Sequence, residues 1–236
     1  MVQDWVQVGP AQLALWPKRT VVRHLDPMLC VVLFPDNEAI RSVVEPRLLE
    51  KEKDFRAEEP RLLEKEKDFR AEEPDRWEGG GGAKIRDIGE WPCPAMGLLH
   101  ARAQEAFRRL TGSRAAVIDD SWASVFRRGE FLGPHSHRRT EVSVVYHLTP
   151  PDEAARESFD GALGIADPRV KRCCPTAPGC VTSQVYPPLE PGTMVLFPSF
   201  VAHYVTPHRC DSHRISIAWN IAREAIPGKV ADEPLL

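Results

Sequence analysis

The sequence predicts a mainly β protein with covering helices, an α+β arrangement built on a β-sandwich or jelly roll. After Arg114 the chain breaks into short runs rich in Val, Ile and Leu, which are typical of strands. Turn residues such as Gly129, Gly133-Pro134 and Pro191-Gly192 separate these runs, as they do in sandwiches and barrels. The clearest helical periodicity lies before them, so we expect helices to cover one face of the strands.

Composition narrows the class of protein. The chain has 236 residues, of which 42% are hydrophobic and 28% charged, as in ordinary globular proteins of one large or two small domains. A net charge of -3 offers no electrostatic footprint for nucleic acid. The apolar runs are too short to cross a membrane, and the first ten residues lack the basic region of a secretory signal. Six cysteines without a CxxC pair favour reduced thiols in a cytoplasmic protein.

The first elements are predicted from local patterns. Residues 11–34 are expected to be extended, with interruptions at Pro17 and Pro27. Asp36 or Asn37 can cap a helix that begins near Glu38.

A 14-residue unit, RLLEKEKDFRAEEP, occupies residues 47–60 and is repeated without a change at 61–74. In a helix this shift leaves the two copies about 40° apart around the axis, so their faces nearly superpose. Pro60 is expected to kink or end such a helix. We therefore predict a charged, solvent-exposed helical hairpin or kinked helix, which is either a partner-binding arm or a tolerated surface duplication. GGGG at 79–82 predicts a flexible joint after it.

Residues 94–111 have the helical spacing of apolar side chains, and Gly112 supplies a stop. The β-core follows this helix. Its expected strands are 115–119, 122–128, 141–148, 160–165, 183–187, 193–198, 201–206 and 213–221.

Three histidines are candidate metal ligands. His135 and His137 are separated by one residue, so on an extended strand they point to the same side. His203, from a distant strand, would complete a facial set of three ligands. Such a set suits Fe(II) and leaves positions open for oxygen and a cosubstrate.

The last predicted strand has one polar and one apolar face. Arg214, Ser216 and Asn220 alternate with isoleucines and a tryptophan, so they share a side. A buried arginine needs an anionic partner, and a dicarboxylate is a natural one, because a guanidinium and a hydroxyl both donate to carboxylate oxygens. An arginine on a solvated edge strand is the alternative.

Four blocks of the sequence resemble a known family in order and spacing. They are WASVFRRGEFLGPHSH, SVVYHL, PGTMVLFPSFVAHYVTP and RISIAWN, within residues 122–221. They are similar to blocks of a bacterial and phage group of 2-oxoglutarate- and Fe(II)-dependent oxygenases. The resemblance implies a double-stranded β-helix, a distorted jelly roll, as the core at 113–224. Residues 1–112 would add strands and helices, and 1–236 would form a single domain.

The resemblance also implies roles for individual residues. His135, His137 and His203 would bind Fe(II), and Arg214 with Ser216 would bind the distal carboxylate of 2-oxoglutarate. The chain departs from the family pattern at Ser143-Val144-Val145, where a glycine is lost, and at His147, where the family has a second tyrosine. Further residues are expected to contact substrate or support the ligands: Glu141, Ser143, Tyr146, His147 and Asn220.

The implied activity is hydroxylation of an unidentified small molecule or protein side chain, without nucleic acid or membrane as a partner. Whether the protein forms a homodimer stays open. One alternative is a cupin-type metalloenzyme in which Glu141 joins the three histidines, since residues 135, 137 and 141 share a face if their strand is unbroken. A zinc hydrolase using the three histidines and a non-enzymatic β-scaffold are further alternatives.

Overall fold

The computed structural model describes residues 4–26, 29–72, 81–137, 140–149, 159–166, 184–188 and 190–225, with backbone alone for 25, 26 and 59–72. Cys173, Cys174 and Cys180 lie outside these residues, as do Gly79 and Gly80, the first half of the GGGG joint.

Thirteen strands and two α-helices make up the described part of the chain. The strands are β1 (Trp5–Val8), β2 (Ala11–Ala14), β3 (Val21–Asp26), β4 (Leu29–Leu33), β5 (Ala83–Arg86), β6 (Val117–Phe126), β7 (Leu132–His135), β8 (Val142–His147), β9 (Leu163–Ala166), β10 (Gln184–Val185), β11 (Thr193–Pro198), β12 (His203–Val205) and β13 (Arg214–Ala222). The helices are α1 (Asn37–Glu72) and α2 (Pro94–Thr111), with a 3-10 turn at Ile88–Glu90.

Two antiparallel sheets form the core, which confirms the predicted mainly β class and jelly-roll architecture. The major sheet has seven strands in the order β3-β4-β11-β8-β13-β6-β5, and the minor sheet has four in the order β10-β9-β12-β7. Three strands of the major sheet, β3, β4 and β5, come from the first 112 residues. The amino-terminal region therefore extends the core sheet in addition to covering it.

The two faces of the major sheet have different environments. The face toward the helices buries Ile215, Ile217 and Trp219 in one large apolar cluster with α2. The opposite face joins Ala218 and Trp122 to residues of the minor sheet in a second, smaller cluster. The alternation predicted for the last strand is thus correct, and its polar side chains lie between the two sheets, where a ligand can be enclosed.

Helix α2 begins and ends where the sequence predicts. Pro94 occupies the first turn, where no amide hydrogen is needed for the helical ladder. Gly112 ends the helix at φ 68°, a left-handed conformation that glycine adopts without a steric penalty. Buried Arg102 fastens α2 to the rest of the chain, because it donates two hydrogen bonds to the Asp36 carboxylate at 2.8 and 2.6 Å.

The prediction for the duplicated segment needs correction in two respects. α1 runs through Pro60 from Asn37 to Glu72, so the hairpin alternative is wrong, whereas a kink at Pro60 stays a prediction. The first copy is not fully solvent-exposed either: Leu48 and Glu52 are buried, and Phe55 packs against the core. Burial of this face offsets the local cost of Pro46, because tertiary packing supplies most of the stability of a protein helix.

Two predicted strands are one strand in the structure. Residues 115–119 and 122–128 were expected as separate strands, and the structure has the single strand β6 over Val117–Phe126.

No helix in the described ranges is long and apolar enough to span a membrane.

Candidate metal and cosubstrate site

The minor sheet brings the three predicted metal ligands together. β12 pairs with β7 in antiparallel register, and His203 lies directly opposite His135. His137 lies just beyond the end of β7, held by a hydrogen bond from its backbone N–H to the Ser199 carbonyl at 2.8 Å. One potential ligand atom from each imidazole lies within 4.8 Å of the other two. β7 ends at His135, so His137 joins the cluster from two residues beyond the end of the strand.

The hydrogen bonds of the imidazoles leave Nε2 free for a metal. Nδ1 of His135 faces the Gly133 carbonyl at 3.0 Å, and Nδ1 of His203 faces the Val201 carbonyl at 3.0 Å. Each Nδ1 can only donate to a carbonyl, so the lone pair lies on Nε2. Nε2 of His137 is buried without a hydrogen-bond partner among the described residues.

The three imidazoles are neutral at physiological pH. Burial lowers the pKa of both His137 and His203 to about 3, and electrostatic repulsion from a protonated His135 contributes the next largest effect. Burial likewise lowers the pKa of His135. Neutral nitrogen donors with open neighbouring positions match the ligand set of non-haem Fe(II) sites, so this donor set fits the implied metal.

Aromatic side chains of the major sheet face the cluster. Trp122 lies 5.6 Å from His137 between ring centroids, and Phe197 lies 4.7 Å from His203. Lys84 places its ammonium 4.2 Å from the Trp122 ring centroid. These three side chains form a wall beside the histidines that the sequence did not identify. Trp122 was part of a recognised block, but nothing local shows that it reaches the metal site.

Arg214 and Ser216 lie on the same inner face of β13, as predicted. Arg214 is buried, its Nη1 donates to Ser216 Oγ at 3.1 Å, and its Nη2 has no hydrogen-bond partner among the described residues. Burial lowers its pKa to about 10, so the guanidinium still carries its charge at neutral pH. A buried cation with an unused donor indicates a place for an anion.

His147 lies beside this pair. It is directly opposite Ser216 in the register between β8 and β13, and its Nε2 is buried without a partner among the described residues. Burial, followed by the charge of Arg214, lowers its pKa to about 3, so His147 is neutral. Arg214 and His147 therefore each have a buried nitrogen without a hydrogen-bond partner in the described part of the chain, on either side of Ser216.

Gly161 explains how the chain passes close to this space. Its φ of 61° lies in the left-handed region, and a Cβ placed there would meet Arg214 Cδ at 3.0 Å. Only glycine combines that conformation with such a close approach. The sequence contains the glycine but no pattern that connects it with Arg214.

The other predicted residues have structural partners. Ser143 Oγ donates to the Asn220 side-chain oxygen at 3.0 Å, so these two buried groups partly satisfy each other. Tyr146 faces the helix layer, not the space between the sheets, and its hydroxyl donates to Asn37 Oδ1 at 2.7 Å. Of Tyr146 and His147, His147 is thus the one that faces the interior.

Glu141 lies apart from the histidine cluster. Its carboxylate is 40% exposed and accepts a hydrogen bond from the backbone N–H of Arg223 at 2.9 Å, with the Arg223 side chain at 3.3 Å. The parity argument for a cupin requires one unbroken strand from His135 to Glu141, but β7 ends at His135 and Glu141 lies outside both β7 and β8. Within the described residues, the metal-binding cluster consists of the three histidines.

The antiparallel double sheet, the cluster of three imidazoles and the buried arginine on the last strand form an arrangement that suits a metal ion and an anionic cosubstrate. Residues 120–220, less than half of the chain, match the sequence model of a family described as "Putative 2OG-Fe(II) oxygenase". The matched segment contains the three histidines, Arg214 and Ser216. This part of the chain is therefore similar to the 2OG-Fe(II) oxygenases.

Comparison with solved structures finds the fold at low sequence identity in AviO1. AviO1 from Streptomyces viridochromogenes Tue57 superposes with a TM-score of 0.56 at 16% identity, over 85% of this chain and 92% of that one. An oxidoreductase of the 2OG-Fe(II) oxygenase family from Burkholderia pseudomallei gives 0.42 at 20% identity, over 56% of this chain and 60% of that one. This chain therefore spans less than two thirds of the Burkholderia protein. No protein of curated function matches the sequence.

Proposed function

We propose that His135, His137 and His203 bind Fe(II), and that Arg214 and Ser216 bind the distal carboxylate of 2-oxoglutarate. The observation that carries this proposal is the buried Nη2 of Arg214, which has no hydrogen-bond partner within the part of the chain that the structure describes. The neutral imidazoles support the first part, since each can offer a lone pair without losing a proton.

We further propose that Nε2 of His147 donates to the same carboxylate. Its position opposite Ser216 and its unused nitrogen support this role. A tyrosine in the related family would offer a hydroxyl donor there, and a neutral histidine with its proton on Nε2 offers an N–H instead.

When bound, Fe(II) with 2-oxoglutarate and oxygen supplies the oxidising power to hydroxylate a C–H bond, with release of succinate and carbon dioxide. The chain's own residues hold and enclose the reactants. The carbonyls of Gly133 and Val201 fix the orientation of two imidazoles, and Phe197 and Trp122 exclude water from one side of them.

The substrate is proposed to be a small molecule or a side chain of a peptide that reaches the wall formed by Lys84, Trp122 and Phe197. The ammonium of Lys84 beside an aromatic ring provides both a positive charge and an apolar surface there. A cytoplasmic location agrees with the reduced thiols of Cys30 and Cys93, which are buried.

The direct test is an anaerobic titration of the Fe(II)-loaded protein with 2-oxoglutarate, followed by visible absorption. We expect the weak charge-transfer band of a 2-oxo acid chelated to Fe(II), together with an increase in Tm. His203→Ala should abolish both signals because it removes one of three ligands. Glu141→Gln is the matched control: it should leave Fe(II) affinity within about twofold, since Glu141 pairs with Arg223. The absence of a band and of a Tm shift in the unaltered protein would refute the proposal.

A further inference from the structure

The duplicated segment is the feature of the sequence that the proposed oxygenase function does not use. Its identity is longer than the 14-residue unit suggests. Glu45-Pro46 precede the first copy and Glu59-Pro60 precede the second, so residues 45–60 and 59–74 are the same over sixteen positions. The two copies therefore offer the same side chains in the same order.

The first copy is anchored to the turn between β6 and β7 by four charged residues, which we call the anchor network: Glu52, Arg56, Arg127 and Glu130. The Glu52 carboxylate accepts from Nε of Arg56 and Nε of Arg127, each at 2.8 Å. Arg56 donates two further hydrogen bonds to Glu130, at 2.8 and 3.0 Å. The Glu52 side chain is 2% exposed, so its charge depends on these arginines.

The pKa values of the network agree with this geometry. Burial alone would raise the pKa of Glu52, but the hydrogen bonds from Arg127 and Arg56 outweigh burial and hold the pKa below its ordinary value. The hydrogen bond with Glu130, in turn, raises the pKa of Arg56. The turn that contributes Arg127 and Glu130 leads into β7, which ends at His135.

The first copy's contribution to the anchor recurs in the second. Leu48, Glu52 and Arg56 correspond in sequence to Leu62, Glu66 and Arg70. The backbone of α1 is helical as far as Glu72, and in a straight helix the second set lies about 21 Å along the axis and about 40° around it. Arg127 and Glu130, by contrast, lie outside the repeat and have no second copy in the sequence.

We propose that the turn bearing Arg127 and Glu130 is a docking site that accepts either copy of the repeat. In the second arrangement, residues 59–72 take the place of 45–58, and the displaced copy loops out after Val44. The preceding part of α1, with buried Ile40 and Val44, stays where it is. The receiving surface makes the same contacts in both arrangements, because the two segments are identical.

Chain length permits both arrangements. Gly81 pairs with Phe131, beside Glu130, so the chain must come back to the anchor network after α1. From Arg56 to Glu72 the helix covers about 24 Å, and the nine links from Glu72 to Gly81 reach at most about 30 Å. In the second arrangement Glu72 occupies the former position of Glu58, so the distance that the chain must cover from Glu72 to Gly81 becomes shorter. Docking of the second copy is therefore not prevented by the connection to β5.

A charge reversal at the anchor tests this proposal in the full chain. Glu52→Lys places a cation against Arg127 and Arg56, so the second copy should dock in its place, and Tm should fall by less than about 2 °C. Glu52→Lys combined with Glu66→Lys removes both docking segments and should lower Tm by at least about 5 °C. Glu66→Lys alone is the control and should leave Tm unchanged. Equal Tm values for the single Glu52→Lys protein and the double variant would overturn the proposal.

A cross-linking measurement detects the second arrangement directly. In the Glu52→Lys protein, Arg70→Cys together with Glu130→Cys should become linked by a short bifunctional thiol reagent, with the link identified by mass spectrometry. The same pair in the protein with Glu52 intact should link at least about tenfold more slowly. If the Glu52→Lys protein gives no link between these two positions, the second copy does not reach the site and the proposal fails.

Discussion

At the scale of single residues, the site consists of buried polar groups that lack partners. Arg214 and His147 each have a buried nitrogen without a hydrogen bond among the described residues. Leaving such groups unpaired costs free energy in the unliganded protein, and a carboxylate that pairs with them recovers it on binding. The same property that makes these residues unfavourable for stability supports the proposal that they bind an anion.

Replacement of Arg214 should separate cosubstrate binding from metal binding. In Arg214→Met we expect the Kd for 2-oxoglutarate to rise at least about 30-fold, because a buried charge partner is lost, while Fe(II) affinity is retained. The Tm of the unliganded protein should not fall, because the change removes an uncompensated buried charge. Anaerobic titration and thermal unfolding measure the three quantities. Arg223→Met, at an arginine that pairs with Glu141, is the control with unchanged 2-oxoglutarate affinity. Loss of iron with unaltered 2-oxoglutarate binding would contradict the assignment.

Replacement of His147 tests the third donor. His147→Phe should weaken 2-oxoglutarate binding by about tenfold to 100-fold, which is the usual contribution of one hydrogen bond to a charged group. Binding of 2-oxobutyrate, which lacks the distal carboxylate, should not change. His147→Tyr keeps a donor and should recover part of the affinity. If both 2-oxo acids weaken equally, His147 acts on the whole pocket and not on that carboxylate.

At the scale of elements, Arg102 shows how the helix layer is attached to the sheet. Its guanidinium binds Asp36 and also donates to the carbonyls of Ala14 and Leu15, at 2.7 and 3.2 Å. One side chain of α2 therefore holds β2 and the segment before α1. This attachment fixes the helices over the face of the major sheet that does not carry the site.

Loss of the Arg102 side chain should destabilise the folded protein strongly. We expect Arg102→Met to lower the free energy of unfolding by about 3 kcal/mol, because Asp36 and two carbonyls lose their partner. Urea unfolding measures the change. Arg108→Met on the same helix is the control, and it should alter stability by less than about 0.5 kcal/mol, since its contact with Glu105 is a long ion pair at the surface. Similar losses in the two variants would show that α2 is sensitive to any lost arginine.

The elements differ in how far the sequence predicts them. Both ends of α2 follow from local chemistry, Pro94 at the start and Gly112 at the stop. The course of α1 does not, because Pro46 lies inside the helix beside the buried side chains of Leu48 and Glu52, whose partners are far along the chain. β7 contains Pro134 and has no alternation to detect, and proline is accepted there because β7 lies at the edge of its sheet.

At the scale of the whole molecule, the candidate site depends on the relation between two sheets. Motifs in the sequence predicted that the three histidines would cluster and that Arg214 would share a face with Ser216. The positions of Trp122, Lys84 and Phe197 beside the histidines depend on how the sheets pack, which no local motif shows. We propose that residues 1–236 form one domain, because strands from the first 112 residues are hydrogen-bonded into the same sheet as β8, β11 and β13.

The buried histidines should make the metal-free protein sensitive to acid. Burial lowers the pKa of His100, and lowers that of His147 to about 3, so the unfolded chain binds more protons than the folded one below pH 6.5. The stabilisation is present above the unfolded pKa and is lost as the pH falls from about 6.5 toward 3. We expect the Tm, measured with a chelator present, to fall by several degrees between pH 7.5 and pH 5. A constant Tm over this interval would contradict the burial of neutral imidazoles.

The opposition of His135 and His203 across β7 and β12 has a consequence for local motion. A metal bound by these two side chains is a reversible cross-link between strands that are distant in the sequence, and it closes a long loop when it binds. Binding to the folded state alone adds stability in proportion to the logarithm of metal concentration. The effect should concentrate in the minor sheet, so amide hydrogen exchange in β7 and β12 should slow on addition of Fe(II) far more than exchange in α2. Metal supply would then set how often this side of the protein opens.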